Sequence, residues 1–200
     1  MRSISILFIT LLSALIGALN GYAQPAAAPK KTVMQESKKN NPVYDRNDND
    51  KVSLSDAVWK KVLPEEVYYI ARMKGTERPW TSKFEDFYEE GTYYCAACGN
   101  PLFKSNTKFN SGCGWPSFYE ALDKKTIIEK PDYSFGMFRT EILCAKCDGH
   151  LGHVFDDGPK PTGQRYCINS AALRFVPKEK LKEAGYAEFA TAFEKKDTKP

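Results

Sequence analysis

Histidine is nearly missing from this 200-residue chain: there are two, and both lie in the stretch His150-Leu-Gly-His153. Imidazole chemistry is thereby confined to one place, and a metal site built from scattered histidines is excluded. Charge of one sign is missing too. Lys+Arg 29 against Asp+Glu 25 leaves +4, short of the basic footprint of a nucleic-acid surface, so no nucleic-acid partner is expected. Beyond the first two dozen residues no apolar run approaches the roughly 20 residues of a spanning helix, which excludes a multi-span membrane protein. Internal repeats are lacking apart from a doubled cysteine motif. What is present, 42% hydrophobic and 27% charged residues, is the composition of an ordinary globular protein, and the length allows one domain with an appendage.

Arg2, the apolar stretch from Ile4 to Leu19 and the small residues of Gly21-Tyr22-Ala23 before Gln24 read as a cleaved secretory signal over 1–23. A buried helix or a membrane anchor is the alternative, and the run is short for a span. The expected location is therefore periplasmic or secreted, with no stable membrane insertion after cleavage and a monomer by default. Residues 24–54 hold Pro25, Pro29, Pro42, an Ala run and Lys pairs but few large apolar residues, and read as a polar flexible tether. Asp45, Asn47, Asn49, Ser53 and Asp56 follow the spacing of a calcium loop. Asp50, however, stands where the loop turns on Gly, and Asp56 is shorter than the Glu that ends it, so calcium is not expected there.

The remaining 55–195 form the expected domain. Ser55 can cap a short helix through Lys61, and Pro64 with Glu65 and Glu66 opens a second that ends near Gly75. From Thr92 to Phe175 short runs of Tyr, Phe, Ile, Val and Thr alternate with Gly, Pro, Asn and Asp, the pattern of a mainly antiparallel β domain with short helices at its ends, an α+β fold. Leu181, Tyr186, Phe189 and Phe193 fit a terminal amphipathic helix interrupted at Gly185.

Six cysteines in an exported chain could form three disulfides. Their spacing points elsewhere. Cys95-Ala-Ala-Cys98-Gly and Cys144-Ala-Lys-Cys147-Asp-Gly are matched knuckles, and two such turns place four thiolates around one Zn²⁺ at ~2.3 Å, with Gly99 and Gly149 suited to the left-handed turn positions. Four protein ligands leave no open coordination position, so this metal is structural. Redox-active pairs or disulfides within the knuckles are the rivals. Cys113 and Cys167 remain. Cys113 lies in the Gly-flanked Ser111-Gly-Cys-Gly-Trp-Pro-Ser117; Cys167 lies in the strand-like Gly163-Gln-Arg-Tyr-Cys-Ile-Asn-Ser170, where Arg165 and Asn169 share its face. A neighbouring guanidinium and imidazole would favour a nucleophilic thiolate. A permanent Cys113–Cys167 disulfide is the competing reading.

The strings Gly75-Thr-Glu-Arg-Pro79, Tyr94-Cys-Ala-Ala-Cys-Gly99, Ser111-Gly-Cys-Gly-Trp-Pro-Ser-Phe118, Cys147-Asp-Gly-His-Leu-Gly-His-Val-Phe-Asp-Asp-Gly-Pro159 and Arg165-Tyr-Cys-Ile-Asn-Ser170 resemble the methionine sulfoxide reductases of type B, over about 58–185. The resemblance implies two antiparallel β-sheets stapled by the Cys95, Cys98, Cys144 and Cys147 zinc site, and reduction of the R epimer of methionine sulfoxide in oxidised proteins. It makes Cys167 the nucleophile, left as a sulfenic acid once methionine departs, and Cys113 the resolving cysteine. The resulting Cys113–Cys167 disulfide would be reduced by a thioredoxin-like partner. His153, with His150 beside it, is the expected acid for the sulfoxide oxygen, and Asn169 is expected to orient His153 or a water. Arg165 is expected to stabilise the Cys167 thiolate, and Trp115, with Phe155, to wall the pocket for the S-methyl group. A second metal at His150 and His153, or a zinc-stapled binding module without activity, is the alternative.

Overall fold

A computed structural model describes residues 51–184. The signal-like segment, residues 24–50 of the tether with Asp45, Asn47 and Asn49, and Tyr186, Phe189 and Phe193 lie outside the described residues. Two short helices come first, α1 (Asp56–Val62) and α2 (Glu65–Ala71). Ser55 stands at the cap of α1 but its side chain makes no capping bond, and Pro64 stands at the cap of α2 rather than in its first turn. The second helix stops short of Gly75. Lys74 takes a left-handed conformation with φ 56°, and the amides of Met73 and Gly75 bond back to Tyr68 and Tyr69, closing the helix earlier than the glycine signals. Trp59 and Ile70 are buried, and the Arg72 guanidinium lies 5.2 Å over the Trp59 ring. Asp56 accepts a hydrogen bond from the Tyr68 hydroxyl at 2.6 Å, so its carboxylate serves the helix pair.

Nine strands follow: β1 (Gly91–Cys95), β2 (Pro101–Lys104), β3 (Lys108–Phe109), β4 (Ser117–Phe118), β5 (Ile127–Asp132), β6 (Arg139–Cys144), β7 (His150–Phe155), β8 (Arg165–Ile168) and β9 (Leu173–Pro177). They make two antiparallel sheets, a three-stranded one ordered β2-β1-β9 and a six-stranded one ordered β3-β4-β8-β7-β6-β5. This is the mainly β, two-sheet architecture expected. Aromatic residues join the sheets. Tyr93 and Phe103 of the smaller sheet meet Phe118 of the larger with centroids 5.0 and 4.5 Å apart, and Phe84 and Phe175 pack edge-on or tilted against Tyr93. Such offset and edge-to-face pairs add to the area they bury. Leu181, after β9, is fully buried. Among the described residues no helix is long and apolar enough to cross a membrane.

Register places the chemistry. Cys167 of β8 lies directly opposite Ser117 of β4 on one side and His153 of β7 on the other, so the three share one face of the sheet at cross-strand distance. Gly152 permits that approach, since a Cβ there would fall 2.0 Å from the Cys167 carbonyl oxygen.

Candidate active site and metal centre

Four sulfurs meet where the sheets end. Cys95 closes β1 of the small sheet and Cys144 closes β6 of the large one, and with Cys98 and Cys147 all four Sγ atoms lie within 4.8 Å of one another and are buried. The Cys95–Cys147 and Cys98–Cys144 sulfur separations are 3.8 and 3.5 Å. Four thiolates at ~2.3 Å from one ion would be about 3.8 Å apart, so the residues fit a closed tetrahedral site. The two turns are alike: Gly99 N–H donates to the Cys95 carbonyl and Asp148 N–H to the Cys144 carbonyl. The left-handed residue of the second knuckle is Asp148, φ 56°, and not Gly149. Position by position, Asp148 and not Gly149 corresponds to Gly99; Gly149 is small because a Cβ there would sit 3.3 Å from the Cys147 sulfur and 3.4 Å from Ala71. Asn100 donates to the Cys144 sulfur at 3.5 Å and to the Thr126 carbonyl at 2.9 Å, tying the site to its surroundings.

The other two cysteines stand apart from this cluster and together. Cys113 Sγ and Cys167 Sγ are 3.5 Å apart and both partly exposed. The Ser111 hydroxyl donates to Cys113 Sγ at 2.9 Å and bonds the Ser117 hydroxyl at 2.7 Å. Either sulfur could donate in the Cys113–Cys167 contact. The hydrogen bond from Cys167, with those from Ser111 and Ser117, holds the Cys113 thiol down to about 4 despite burial, while the bond to Cys113 and burial push the Cys167 thiol far up, against the opposing pull of Arg165. The sign is that of a shared Cys167–S–H···S⁻–Cys113 pair. Thiolate absorbance near 240 nm in the reduced protein should therefore fall by one thiolate as pH drops through about 4, and this step should vanish in Cys113→Ser.

A cleft of about 130 Å³ opens beside Cys167, lined by Thr76, Trp115, Arg139, His153, Phe155 and Asn169 among others. His153 gives its Nε2 to Asp132 Oδ2 at 2.8 Å. Asp132 also accepts from Ser134 N–H at 2.9 Å and from Arg139 Nη2 at 2.7 Å, and the Ser134, His153 and Arg139 donors keep its carboxyl far below the usual range. An ionised Asp132 thus fixes the His153 ring. If His153 is the acid the resemblance implies, replacing Asp132 by Asn should lower kcat by about tenfold or more with little change in KM, since the partner of such an imidazole mainly sets its orientation and charge; steady-state kinetics check this.

Not every expected residue does what the strings imply. Asn169 does not bond His153: its Oδ1 accepts from Glu77 N–H at 3.2 Å and its Nδ2 donates to the Leu151 carbonyl at 3.0 Å, because its neighbours are backbone groups of adjoining segments. His150 does not line the cleft. It is 3% exposed, its Nδ1 lies 2.7 Å from Glu141 Oε1, and burial lowers its pKa, so it is a neutral donor behind His153 with ring centroids 5.5 Å apart. Glu141 is held in turn by Lys74 Nζ at 2.8 Å. Each histidine is thereby committed to a carboxylate of its own, unlike a pair sharing one metal. Arg165 forms a two-bond pair with Asp157 at 2.8 and 2.9 Å and lies 4.4 Å over Phe155, while still favouring negative charge on Cys167.

Trp115 is partly exposed and its indole N–H donates to the Glu77 carbonyl at 3.1 Å. Glu77 was not legible as a site residue, yet it binds the site four ways: its N–H to Asn169, its carbonyl to Trp115, and its two carboxylate oxygens to the amides of Ser170 and Ala171. It lies in the Gly75–Pro79 string, which is the signal that could have found it. Asp132 and Arg139 lie in no such string.

The SelR domain model matches residues 63–177 of the chain. The chain is 60% identical over 126 residues to the peptide methionine sulfoxide reductase MsrB of Hahella chejuensis, covering 63% of this chain and 91% of that protein. It is 55% identical over 129 residues to the protein of the same name from Pseudomonas syringae pv. syringae, covering 64% and 98%. With the Bradyrhizobium diazoefficiens protein of that name the identity is 55% over 130 residues, covering 65% and 94%.

Proposed function

The chain belongs to the SelR-domain family and is a peptide-methionine (R)-S-oxide reductase, and from that premise we propose how its own residues carry the reaction. The carrying observation is the reduced pair, Cys113 and Cys167, 3.5 Å apart with Cys167 on the wall of a cleft shared with His153 and Trp115. The Cys167 sulfur attacks the sulfoxide sulfur as its proton passes to Cys113. The S–S bond so formed and the S–O bond of the sulfoxide then break as the oxygen passes to the Cys167 sulfur, which leaves Cys167 as a sulfenic acid and releases the thioether. With Nε2–H donating to the Asp132 carboxylate, a doubly protonated His153 delivers a proton to the sulfoxide oxygen from Nδ1 and is left as the neutral Nε2–H tautomer. Trp115 and Phe155 supply the apolar wall for the S-methyl group, and the oxygen must then face His153, which selects one epimer.

Cys113 next attacks the Cys167 sulfenic sulfur, hydroxide leaves as water, and a disulfide forms. A dithiol partner of the thioredoxin kind returns two electrons and two protons. The ion held by the four buried thiolates is zinc in this proposal: soft ligands in a closed tetrahedron suit it, and being redox-inert it does not compete with the disulfide chemistry. Its contribution is to join the two sheets. Export is part of this proposal and rests on Arg2, the apolar run Ile4 to Leu19 and the small residues of Gly21-Tyr22-Ala23 before Gln24; the substrates are then proteins outside the cytosol and the reductant shares their compartment.

Reduction of N-acetyl-methionine sulfoxide by the purified protein with dithiothreitol, followed by chiral chromatography, tests the reading. The R epimer should be consumed and the S epimer left. Consumption of both, or of neither, would contradict it.

A further inference from the structure

The hairpin between β5 and β6 ends in a tip that the chemistry above does not use. Four of its six residues, 133–138, are large and apolar, and all four face solvent: Tyr133 is 66% exposed, Phe135 90%, Met137 42% and Phe138 87%. Soluble proteins rarely present so contiguous an apolar patch without a partner for it. Phe135 also occupies the left-handed region, φ 55°, ψ 24°, followed by Gly136 at φ 70°. A turn of that hand favours Asn, Asp or Gly, so the chain spends conformational energy to hold a phenyl ring in water. Tyr133 and Phe138 brace one another edge to face with centroids 5.5 Å apart.

The tip is continuous with the cleft. Its base is the Asp132–Arg139 pair at 2.7 Å; Arg139 lines the cleft and Asp132 holds His153. We propose that the aromatic tip, residues 133–138, is a docking platform for the apolar residues that flank methionine sulfoxide in an extended, unfolded polypeptide. The proposal rests on the reductase reading and names its substrate class. Methionine fills gaps in apolar cores, and its oxidation to a polar sulfoxide disrupts that packing and exposes the apolar residues around it. A segment presenting the sulfoxide therefore presents apolar side chains too. Pairing with the sheet edge is the weaker route, because the edge strand β5 carries Lys130 and Pro131, which blunt it for an incoming strand.

The test compares wild type with Phe135→Ser/Phe138→Ser and with Phe135→Leu/Phe138→Leu on three substrates under dithiothreitol: free L-methionine-R-sulfoxide, a capped Leu-Phe-Met(O)-Leu-Phe peptide and a capped Gly-Ser-Met(O)-Ser-Gly peptide. The Ser variant should reduce the free amino acid and the Gly/Ser peptide as wild type does. Its KM for the apolar peptide should rise about tenfold, equivalent to about 1.4 kcal/mol, with kcat unchanged and the Leu variant largely retaining wild-type KM. Equal KM for the two peptides in wild type, a Ser variant unaffected on the apolar peptide, or loss on all three substrates alike would overturn the platform. So would sedimentation showing wild type paired through the tip and the Ser variant monomeric. Wild type inactive on every substrate would overturn the reductase reading itself, and the platform with it.

Discussion

Cys167→Ser should give a folded protein that keeps its metal and has lost turnover of methionine sulfoxide by at least about a thousandfold, the scale on which removal of a nucleophile acts. A serine hydroxyl is a far weaker nucleophile than a thiolate, and the replacement also removes the donor that Cys113 accepts from. The site around it should persist. Asp132, Glu77 and the β4–β8–β7 register do not depend on that sulfur, so circular dichroism and metal content should match wild type. The partner variant separates the steps: Cys113→Ser retains Cys167 and its cleft, and without reductant should release one methionine per chain and then stop, with the sulfenic acid trapped by dimedone. A Cys167→Ser protein that still turns over sulfoxide would remove Cys167 from the chemistry.

Cys95→Ser should have the largest effect on stability. The apparent binding free energy of a structural zinc site is about 10–16 kcal/mol, comparable with the whole stability of a domain, about 5–15 kcal/mol. Loss of one ligand leaves three buried thiols with no cation to satisfy them and unties β1 from β6, since Cys95 and Cys144 end those strands. Loss of about 4 kcal/mol in a domain of this size lowers Tm by roughly 10–15 °C. Calorimetry with metal analysis checks it: Tm should fall by that much or more, with less than one metal per chain. Chelation of the wild-type metal should act in the same direction. An unchanged Tm with the metal lost would make the cluster incidental to the fold.

Much of this was legible in the chain. The matched knuckles mark the metal ligands because two-residue spacing is a local geometric requirement, and the separate Gly-flanked and strand-borne cysteines stand out by subtraction. Alternating apolar and turn residues mark the β domain. What was not legible depends on register and hairpin geometry. Asp132 reaches His153 across 21 positions only because β5, β6 and β7 are adjacent, and no string around Asp132 announces it. Asn169 and His150 look like site residues in sequence, yet one is bonded to backbone and the other sits behind the cleft. Glu77 acts through its backbone N–H and carbonyl as much as through its carboxylate, and the backbone half carries no residue-specific signal. The left-handed position of the second knuckle fell on Asp148, where a nearby glycine was the more obvious choice.

The central claim is a partition of six cysteines: four hold a metal, two do redox chemistry. Counting free thiols and bound zinc on the reduced protein, before and after R-methionine sulfoxide without reductant, tests it most directly. One zinc per chain throughout, and loss of two thiols that peptide mapping assigns to a Cys113–Cys167 disulfide, is the predicted result. Thiol loss from Cys95, Cys98, Cys144 or Cys147 with release of the metal, or no thiol loss at all in folded protein, would contradict it.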